Sequence, residues 1–473
     1  MENIVGRKKE IALMESLLTS KKSEFLAVYG RRRVGKTFLI REVFSERFNF
    51  QLTGANSKLS LQLNNFHRAL IRQGRNENLA FASSWFDAFQ QLIDHLEIAK
   101  DEKKIVFLDE LPWLDTPNSG FIVALEHFWN SWATARTDII LVVCGSSASW
   151  IINKLLKNKG GLHNRITQRI KLEPFTLSET EAFFESKNAI FERYQTTQLY
   201  MALGGIPYYL EMVEAGQSAA QNINRLCFEK SGALRIEFES LYDSLFKKAQ
   251  NHVAVIEALA SKACGLNRDT LIKTAKINNG GGTTMVLREL EECGFIRKYV
   301  AFGKSERNQL YQLVDFYSLF YLTFIKKSSV LDENIWINGI DNPAFRTWSG
   351  YAFEIVCLQH LKEIKETLGI SGILTSTSSW YSTDKISKAQ IDLLIDRRDQ
   401  VINLCEIKFS IKPYSIDKKY AEELRNKIGT FKEQTKTRKS IFLTMITSFG
   451  IQKNEYSTDL VQNSLCFDDL FRG

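Results

Sequence analysis

The sequence predicts an α/β protein that begins with a parallel sheet covered by helices on both faces. Three short apolar runs, "FLAVYG", "KIVFLDE" and "DIILVVCGSS", alternate with helical patterns in the first part of the chain. Near-continuous apolar strands separated by helices are typical of a buried parallel sheet. Two further observations refine this prediction: a glycine-rich loop follows the first run, and charged residues interrupt two apolar strands near the C-terminal end.

The composition is that of an ordinary soluble protein with several domains. Its 473 residues, 44% hydrophobic and 25% charged, are enough for about three or four separate cores. The net charge of +8 permits an anionic partner and favours one only weakly over this length. The odd number of cysteines, seven, without a CxxC pair is typical of reduced thiols. No apolar run reaches the ~20 residues of a membrane span, so we expect no membrane partner and a cytoplasmic location.

The glycine-rich loop "GRRRVGKT" fits the spacing G-x-x-x-x-G-K-[ST] between a strand and a helix. Its glycines let backbone amides converge on phosphate oxygens, and the helix N-terminus adds a positive end. Lys36 can reach the β- and γ-phosphates of ATP, and Thr37 can ligate Mg²⁺. A chance glycine-rich turn is the plain alternative. The candidate nucleotide-binding residues here are Gly30, Arg31, Arg32, Arg33, Val34, Gly35, Lys36, Thr37 and Phe38.

Two later strand ends support this prediction. Asp109 ends the run "KIVFLD", where phosphate-loop enzymes place a second contact to Mg²⁺. Glu110 follows it and can orient and polarise an attacking water. The third run ends in "GSS", so Ser146 or Ser147 can meet the γ-phosphate, although small polar residues also end strands for plain turn reasons.

These segments, with "VGRKKEI" at the N-terminus, "FLDELPWL", "CGSSAS" and "GGIPYYL", resemble the AAA+/STAND-type P-loop ATPases often called the archaeal-type ATPase family. The resemblance implies an ATP- and Mg²⁺-dependent ATPase. It also implies that Arg7 flanks the adenine site and that Pro207, in a helical lid, lies near the nucleotide base. Arg165 stands where related enzymes place an arginine near the γ-phosphate or a neighbouring subunit. A homo-oligomer is among the candidate partners, although the sequence does not fix the oligomeric state. Arg169 lies close by, and a solvated helix arginine is the alternative for Arg165.

The middle of the chain predicts helices followed by a hairpin. From about Pro174 to Phe246 the pattern is helical and is broken at "GGIPYY". Three helical patterns then precede the strand-like pieces "FIRKYVAF" and "NQLYQLVD", which indicates a winged helix. Its candidate recognition helix carries carboxylates, so base-specific reading is not expected. Lys304 and Arg307 of the wing can contact DNA phosphates, and a packing module is the equal alternative.

The charged strands lie in "QIDLLIDRRDQVINLCEIKFS". Glu406 and Lys408 are two residues apart and face one side of a strand, and Asp392 can face the same side of the hairpin. Two carboxylates and a lysine predict a site in which Asp392 and Glu406 hold Mg²⁺ while Lys408 acts on the nucleophile or phosphate. Edge strands with solvated charged faces are the alternative.

The pattern resembles the D…ExK core of the PD-(D/E)XK, restriction-endonuclease-like fold. That resemblance implies that Glu354, on the helix before the sheet, is an additional acid. Lys418 and Tyr420 can contact the phosphate backbone. The chain departs from the pattern in having "QID" where the family has "PD".

The expected fold is therefore an α/β P-loop NTPase with a parallel sheet, a helical lid, a winged helix and a C-terminal restriction-endonuclease-like domain. The expected domains are residues 1–172, 173–246, 247–328 and 340–473. The expected function is an ATPase coupled to a metal-dependent nuclease-like domain that acts on DNA, with Glu110, Asp392, Glu406, Lys408 and Glu354 as catalytic residues. The alternatives are an ATP-controlled regulatory switch and a DNA-binding protein without nuclease activity.

Overall fold

A computed structural model describes residues 4–74, 79–146, 148–156, 160–162, 164–246, 248–328, 333–339, 342–382 and 389–472. The chain divides into two compact units, Met1–Glu173 and Pro174–Gly473. Among the described residues, no helix is both long and apolar enough to cross a membrane. The division into four domains stays a prediction.

The N-terminal unit is a parallel five-stranded sheet with helices around it, as the alternation of apolar runs predicts. Its strands are β1 (Glu24–Tyr29), β2 (Phe48–Thr53), β3 (Lys104–Asp109), β4 (Ile139–Gly145) and β5 (Gln168–Lys171), in the order β2-β3-β4-β1-β5. Its helices are α1 (Lys8–Leu18), α2 (Lys36–Phe44), α3 (Leu59–Gly74), α4 (Trp85–Ile98), α5 (Leu111–Leu114), α6 (Phe121–His127) and α7 (Ala148–Trp150).

Burial explains why the central strands of this sheet are apolar throughout. All residues of β3 and β4 are buried, and so is every residue of β1 except Tyr29. One large cluster packs against the sheet and includes Phe66, Trp85 and Phe121. Since all four strand pairs are parallel, the carboxyl ends of β1, β3 and β4 meet at one edge of the sheet. The predicted nucleotide-binding residues lie along this edge.

The C-terminal unit starts with helices. The first are α8 (Leu177–Ser186), α9 (Arg193–Leu203), α10 (Pro207–Leu210), α11 (Ala219–Cys227) and α12 (Glu237–Leu245). The next elements are α13 (Gln250–Ala260), β6 (Leu266–Asn267), α14 (Arg268–Ala275), α15 (Gly281–Glu292), β7 (Ile296–Tyr299) and β8 (Leu310–Leu313). The last three strands pair antiparallel in the order β6-β8-β7. We call residues 247–328 the winged-helix segment, because this is the element order of a winged helix.

A mixed five-stranded sheet follows. After α16 (Phe316–Thr323) and α17 (Ile335–Asn338), its elements are α18 (Pro343–Gln359), α19 (Leu361–Thr367), β9 (Thr375–Tyr381), β10 (Gln390–Arg397), β11 (Val401–Lys408), α20 (Lys418–Thr435), β12 (Ser440–Thr447), α21 (Glu455–Leu460), β13 (Asn463–Leu465) and α22 (Phe467–Leu470). The strand order is β13-β12-β11-β10-β9. β9, β10 and β11 pair antiparallel, and β11, β12 and β13 pair parallel.

Candidate active sites

The phosphate loop joins β1 to α2 and has a backbone that needs glycine. Gly30 has a φ of 151°, and a Cβ there would lie 2.3 Å from the carbonyl oxygen of Leu172. Gly35 is the N-cap of α2 with a φ of 88°. Because both turning positions of the loop are glycine, no side chain obstructs them, and the amides at the start of α2 remain available to an anion.

Lys36 is buried in the loop that precedes it. Its Nζ donates hydrogen bonds to the carbonyl oxygens of Gly30, at 3.0 Å, and Arg31, at 2.9 Å. A buried ammonium group above a loop of amide donors suits the phosphates of a nucleotide. The residues present therefore fit ATP at this site.

Asp109 brings the strand end and the phosphate loop together. Thr37 Oγ1 donates to the Asp109 carboxylate, with distances of 3.1 and 3.0 Å to its two oxygens. The amide of Glu110 donates to Asp109 Oδ1 at 2.9 Å, and the Cys144 thiol donates to the same oxygen at 2.6 Å. Burial and the charge of Asp109 raise the pKa of the Cys144 thiol well above its usual value, so this sulfur keeps its proton. The hydroxyl and carboxylate that suit Mg²⁺ thus lie side by side.

Glu110 stands next to Asp109 in a left-handed backbone conformation, with a φ of 48°. Its Oε2 accepts hydrogen bonds from the amide of Ser146 at 3.3 Å and from its hydroxyl at 3.0 Å. Sequence reasoning placed Ser146 against the γ-phosphate and did not predict this contact. Strand order explains it, because β3 and β4 are neighbours and end at the same edge.

The other predicted nucleotide-site residues are less closely grouped. Arg7 is buried, and its Nη2 donates to the carbonyl oxygen of Glu173 at 2.6 Å. Phe38 is 50% exposed on α2, and Arg165 is exposed. Pro207 is the first residue of α10 in the second unit, and its place near a nucleotide stays a prediction. Ser147 lies outside the described residues.

In the C-terminal sheet, the hairpin of β10 and β11 brings the two predicted strand carboxylates together. Next to these two carboxylates Leu393 pairs with Cys405, and Asp392 lies close enough to Glu406 for the charge of Glu406 to act on it. Asp392 Oδ1 accepts a hydrogen bond from the side chain of Gln390 at 2.7 Å.

Glu406 is 2% exposed and has three partners. Its Oε1 accepts from the Tyr420 hydroxyl at 2.7 Å and lies 3.0 Å from Lys408 Nζ. Its Oε2 lies 2.6 Å from Lys427 Nζ. Sequence reasoning missed Lys427. Its spacing of seven residues from Tyr420, two turns along α20, could have revealed it.

The three carboxyl groups of this site differ in charge. Burial and the charge of Asp392 raise the pKa of Glu354 to about 8, and burial and Glu406 raise the pKa of Asp392. Burial also acts to raise the pKa of Glu406, but Lys427 and Lys408 outweigh it and bring this pKa below its usual value. Glu354 therefore holds a proton at neutral pH, and Glu406 is ionised.

Among the described residues, no three His, Cys, Asp or Glu side chains are grouped to hold a metal ion. An ion between Asp392 and Glu406 would need water or phosphate oxygens for the rest of its shell, as Mg²⁺ commonly does. Lys418 is exposed at the start of α20 and does not join the Glu406 cluster.

The winged-helix segment covers one side of this site. Arg297, Tyr299 and Cys264 line a cavity of about 20 Å³ together with Glu354 and Asp392. That volume holds about one water molecule.

The wing is anchored beside the cavity. The amide of Phe302 donates to the carbonyl oxygen of Ser379 on β9 at 2.7 Å. The ring of Phe302 lies 5.5 Å from that of Phe431, between centroids. Lys304 and Arg307 of the same wing are exposed, as a contact to phosphates requires.

Comparison with known proteins finds similarity to an ATPase family in the N-terminal part of the chain. Residues 4–213 match the model of an ATPase domain found predominantly in Archaea. The uncharacterized protein MJECL04 of Methanocaldococcus jannaschii is 24% identical over 428 residues, which cover 89% of this chain and 91% of that protein.

Among solved structures, the Walker-type ATPase PABY2304 of Pyrococcus abyssi matches with a TM-score of 0.50 and 18% identity, covering 68% of this chain and 96% of that one. At this identity the match shows a shared fold alone. The ORC2 protein of Aeropyrum pernix matches at a lower TM-score of 0.43 and 14% identity, over 68% of this chain and 95% of that one. Over residues 4–213 the chain is thus similar to the ATPase domain found predominantly in Archaea.

Proposed function

We propose that this protein hydrolyses ATP with Mg²⁺ at the phosphate loop and uses a metal-dependent, nuclease-like C-terminal site on DNA. The observation that carries the first half is the contact of Thr37 with Asp109 beside the buried Lys36. The observation that carries the second half is the juxtaposition of Asp392, Glu406 and Lys408 within one hairpin, where the charges of Glu406 and Lys408 both act on Asp392.

In the ATPase half, the chain's own residues bind the phosphates and hold a proton acceptor. The loop amides and Lys36 bind the phosphate oxygens, and Thr37 and Asp109 would hold Mg²⁺. Bound Mg²⁺ neutralises charge on the phosphates during transfer. Ser146 engages Oε2 of Glu110. This leaves Glu110 Oε1, which has no hydrogen bond among the described residues, to accept the proton of the attacking water.

In the nuclease-like half, Asp392 and Glu406 would hold a divalent ion, which activates water and stabilises charge on the phosphate. Lys408, about one third exposed, is placed to hold the attacking water or a phosphate oxygen. Tyr420 donates to the same oxygen of Glu406 that Lys408 contacts, and Lys427 donates to the other oxygen, so the carboxylate is held at both oxygens. Glu354 contributes the additional acid and carries a proton at neutral pH.

A separate observation favours a second candidate function. Both oxygens of Glu406 already have partners, and the cavity beside Asp392 holds about one water. This arrangement favours an ATP-controlled switch, or a DNA-binding protein, whose C-terminal domain contacts partners without cutting. A homo-oligomer fits either function as a further proposal.

Cleavage assays separate the two functions. The parent should cut DNA in Mg²⁺ or Mn²⁺, and Asp392→Ala should abolish cutting while ATP hydrolysis continues. Lys408→Ala should also lose cutting but retain the ion in a calorimetric titration, because the lysine does not ligate. Asp459→Ala serves as the control, since this exposed carboxylate pairs only with Arg425 among the described residues.

The substrates should be linear, circular and single-stranded DNA and RNA, each with and without ATP, because the ATPase can gate the second site. If the parent cuts none of them in either metal and binds no ion through Asp392, the nuclease proposal fails. The non-cutting alternative then replaces it.

A further inference from the structure

A basic groove on the N-terminal unit is lined by none of the residues assigned to the ATP site. It lies between α2, the edge strand β2 and α3, and encloses about 780 Å³. Its charged lining consists of Arg41, Arg68 and Arg72, and no aspartate or glutamate is among its described lining residues. The groove is therefore positively charged.

The three arginines are exposed and available to a ligand. Arg41 lies in the last turn of α2, and Arg68 and Arg72 lie on one face of α3, four residues apart. Within the described ranges, none of the three guanidinium groups has a hydrogen-bond or salt-bridge partner. Like charges at this spacing destabilise a helix, so an anion in the groove would relieve a repulsion that the fold itself leaves in place.

An aromatic ring lies among these cations. Phe48 is half-buried at the start of β2 and stacks on the buried Phe107, with centroids 5.5 Å apart and an interplanar angle of 27°. A rigidly backed ring beside arginines is the combination that single strands use, because bases stack on the ring while cations hold the phosphates. The side chains of Gln51 and Asn65 add polar groups to the lining.

A peptide added as an extra strand is a poorer occupant. The side chain of Gln73 already bonds the edge of the sheet at Gln51, accepting from its amide at 2.8 Å and donating to its carbonyl oxygen at 3.0 Å. The backbone groups that strand addition needs are thus occupied at the middle of β2.

We infer that the groove formed by Arg41, Arg68, Arg72 and Phe48 binds a single-stranded nucleic acid, with phosphates on the arginines and a base on the phenylalanine ring. This site goes beyond the proposed function, since it lies on the ATPase unit and uses none of the residues assigned to hydrolysis or cleavage.

The test is fluorescence anisotropy of a labelled deoxythymidine 20-mer with the full-length protein, in EDTA and without ATP. Under these conditions neither hydrolysis nor cleavage contributes, so the result is separable from the fate of the proposed function. The double variant Arg68→Ala/Arg72→Ala should bind at least about tenfold more weakly. Its slope of log K against log salt should fall by about 1.4, since each phosphate contact on a single strand contributes roughly 0.7.

Phe48→Leu keeps an apolar side chain against Phe107 and removes the ring that stacks. It should weaken binding by about fivefold or more at an unchanged salt slope, because a stacked base is lost and a charge is not. The matched control is Lys9→Ala/Lys21→Ala, which removes two exposed cations of the same unit that do not line the groove and should bind like the parent.

Three outcomes would overturn the inference. The first is that the arginine double variant binds the 20-mer as tightly as the lysine control does. The second is that a DNA duplex binds more tightly than the single strand and that Phe48→Leu has no effect, which would indicate a site for the phosphate backbone of a duplex. The third is that polyglutamate or thymidine monophosphate displaces the labelled 20-mer as well, per negative charge, as the unlabelled 20-mer does. That result would indicate a site for an acidic peptide or a small anion.

Discussion

Asp109 and Glu406 show how buried charge is compensated at the residue scale. Each is almost fully buried in a strand, at 4% and 2% exposure, where an isolated carboxylate costs several kcal/mol or more. Asp109 accepts from a hydroxyl, an amide and a thiol, and Glu406 contacts a phenol and two ammonium groups. The donors to Asp109 are neutral, whereas two of the partners of Glu406 are positively charged lysines.

At the phosphate loop, Lys36→Ala should remove most ATP binding, because the charge that meets the phosphates is lost. Glu110→Gln should retain binding and slow hydrolysis by about 10²- to 10⁴-fold, because an amide does not accept the proton of water. Nucleotide titration and phosphate release measure the two effects. Hydrolysis at the parental rate in both variants would show that the ATPase assignment of these residues is wrong.

His360 gives the C-terminal unit a dependence on pH. It is buried, Nδ1 donates to the carbonyl oxygen of Val356 at 2.8 Å, and Nε2 accepts from the amide of Leu177 at 3.0 Å. Burial lowers the pKa of His360 to about 4 from a usual 6.5. The unfolded chain therefore binds a proton between these pH values that the folded chain does not, and stability falls as the pH drops through this window.

Between pH 6.5 and pH 5 this group alone should reduce the free energy of unfolding by about 1.6 kcal/mol. In the variant His360→Gln, the side-chain amide can make both hydrogen bonds of the imidazole and does not titrate. The midpoint of urea unfolding of this variant should therefore change less over this pH range than the midpoint of the parent. The exposed His127→Gln is the control and should keep the parental dependence. An unchanged slope in the His360 variant would contradict this account.

At the scale of elements, local signals fix the helix boundaries. Thr176 and Ser218 are N-caps of α8 and α11, each with a reciprocal bond from the third helical residue. The break between α9 and α10 has a different cause. The C-cap of α9 is Gly204, whose φ is 67°, and the next residue must also be glycine, because a Cβ on Gly205 would lie 1.9 Å from the carbonyl oxygen of Phe175.

Alanine substitutions at two glycines of the C-terminal unit should therefore change its stability in opposite directions. Gly205→Ala should destabilise it by about 3 kcal/mol or more, since the backbone of Phe175 or of Gly205 itself must move. Gly429 lies inside α20, and a Cβ added there would meet no atom within 4 Å. Gly429→Ala should therefore stabilise the unit by roughly 0.5 to 1 kcal/mol. Thermal melts of both variants measure the difference, and equal shifts would refute the steric explanation.

At the scale of the whole molecule, the winged-helix segment restricts one side of the Asp392 site. Phe302→Ala should loosen the wing, because it removes the ring that packs on Phe431. We expect faster hydrogen exchange at residues 297–303 and a several-fold higher rate of metal-dependent cleavage. The exposed Leu374→Ala serves as the control. Faster exchange with no gain in cleavage would show that the wing packs there without gating the site.

Much of the fold follows from the sequence because buried strands and helices have strong local patterns. The runs that predict β1, β3, β4, β10, β11 and β12 are strands in the structure, and the pattern after "SIDK" is a helix over Lys418–Thr435. The edge strands β2, β5, β9 and β13 were not predicted. They are short or polar, as in "TSTSSWY", because one side of an edge strand has no strand to pair with and its faces are half-exposed.

The sequence by itself determined the phosphate loop, the Asp109–Glu110 pair and the hairpin carrying Asp392, Glu406 and Lys408, because each is set by spacing over a few residues. Only the tertiary structure decided their partners. Ser146 reaches Glu110 because β3 and β4 are neighbours, and Lys427 reaches Glu406 because α20 packs across the sheet. The basic groove likewise joins Arg41 to Arg68 and Arg72 from two helices. Such contacts depend on strand order and helix placement, which no short stretch of sequence encodes.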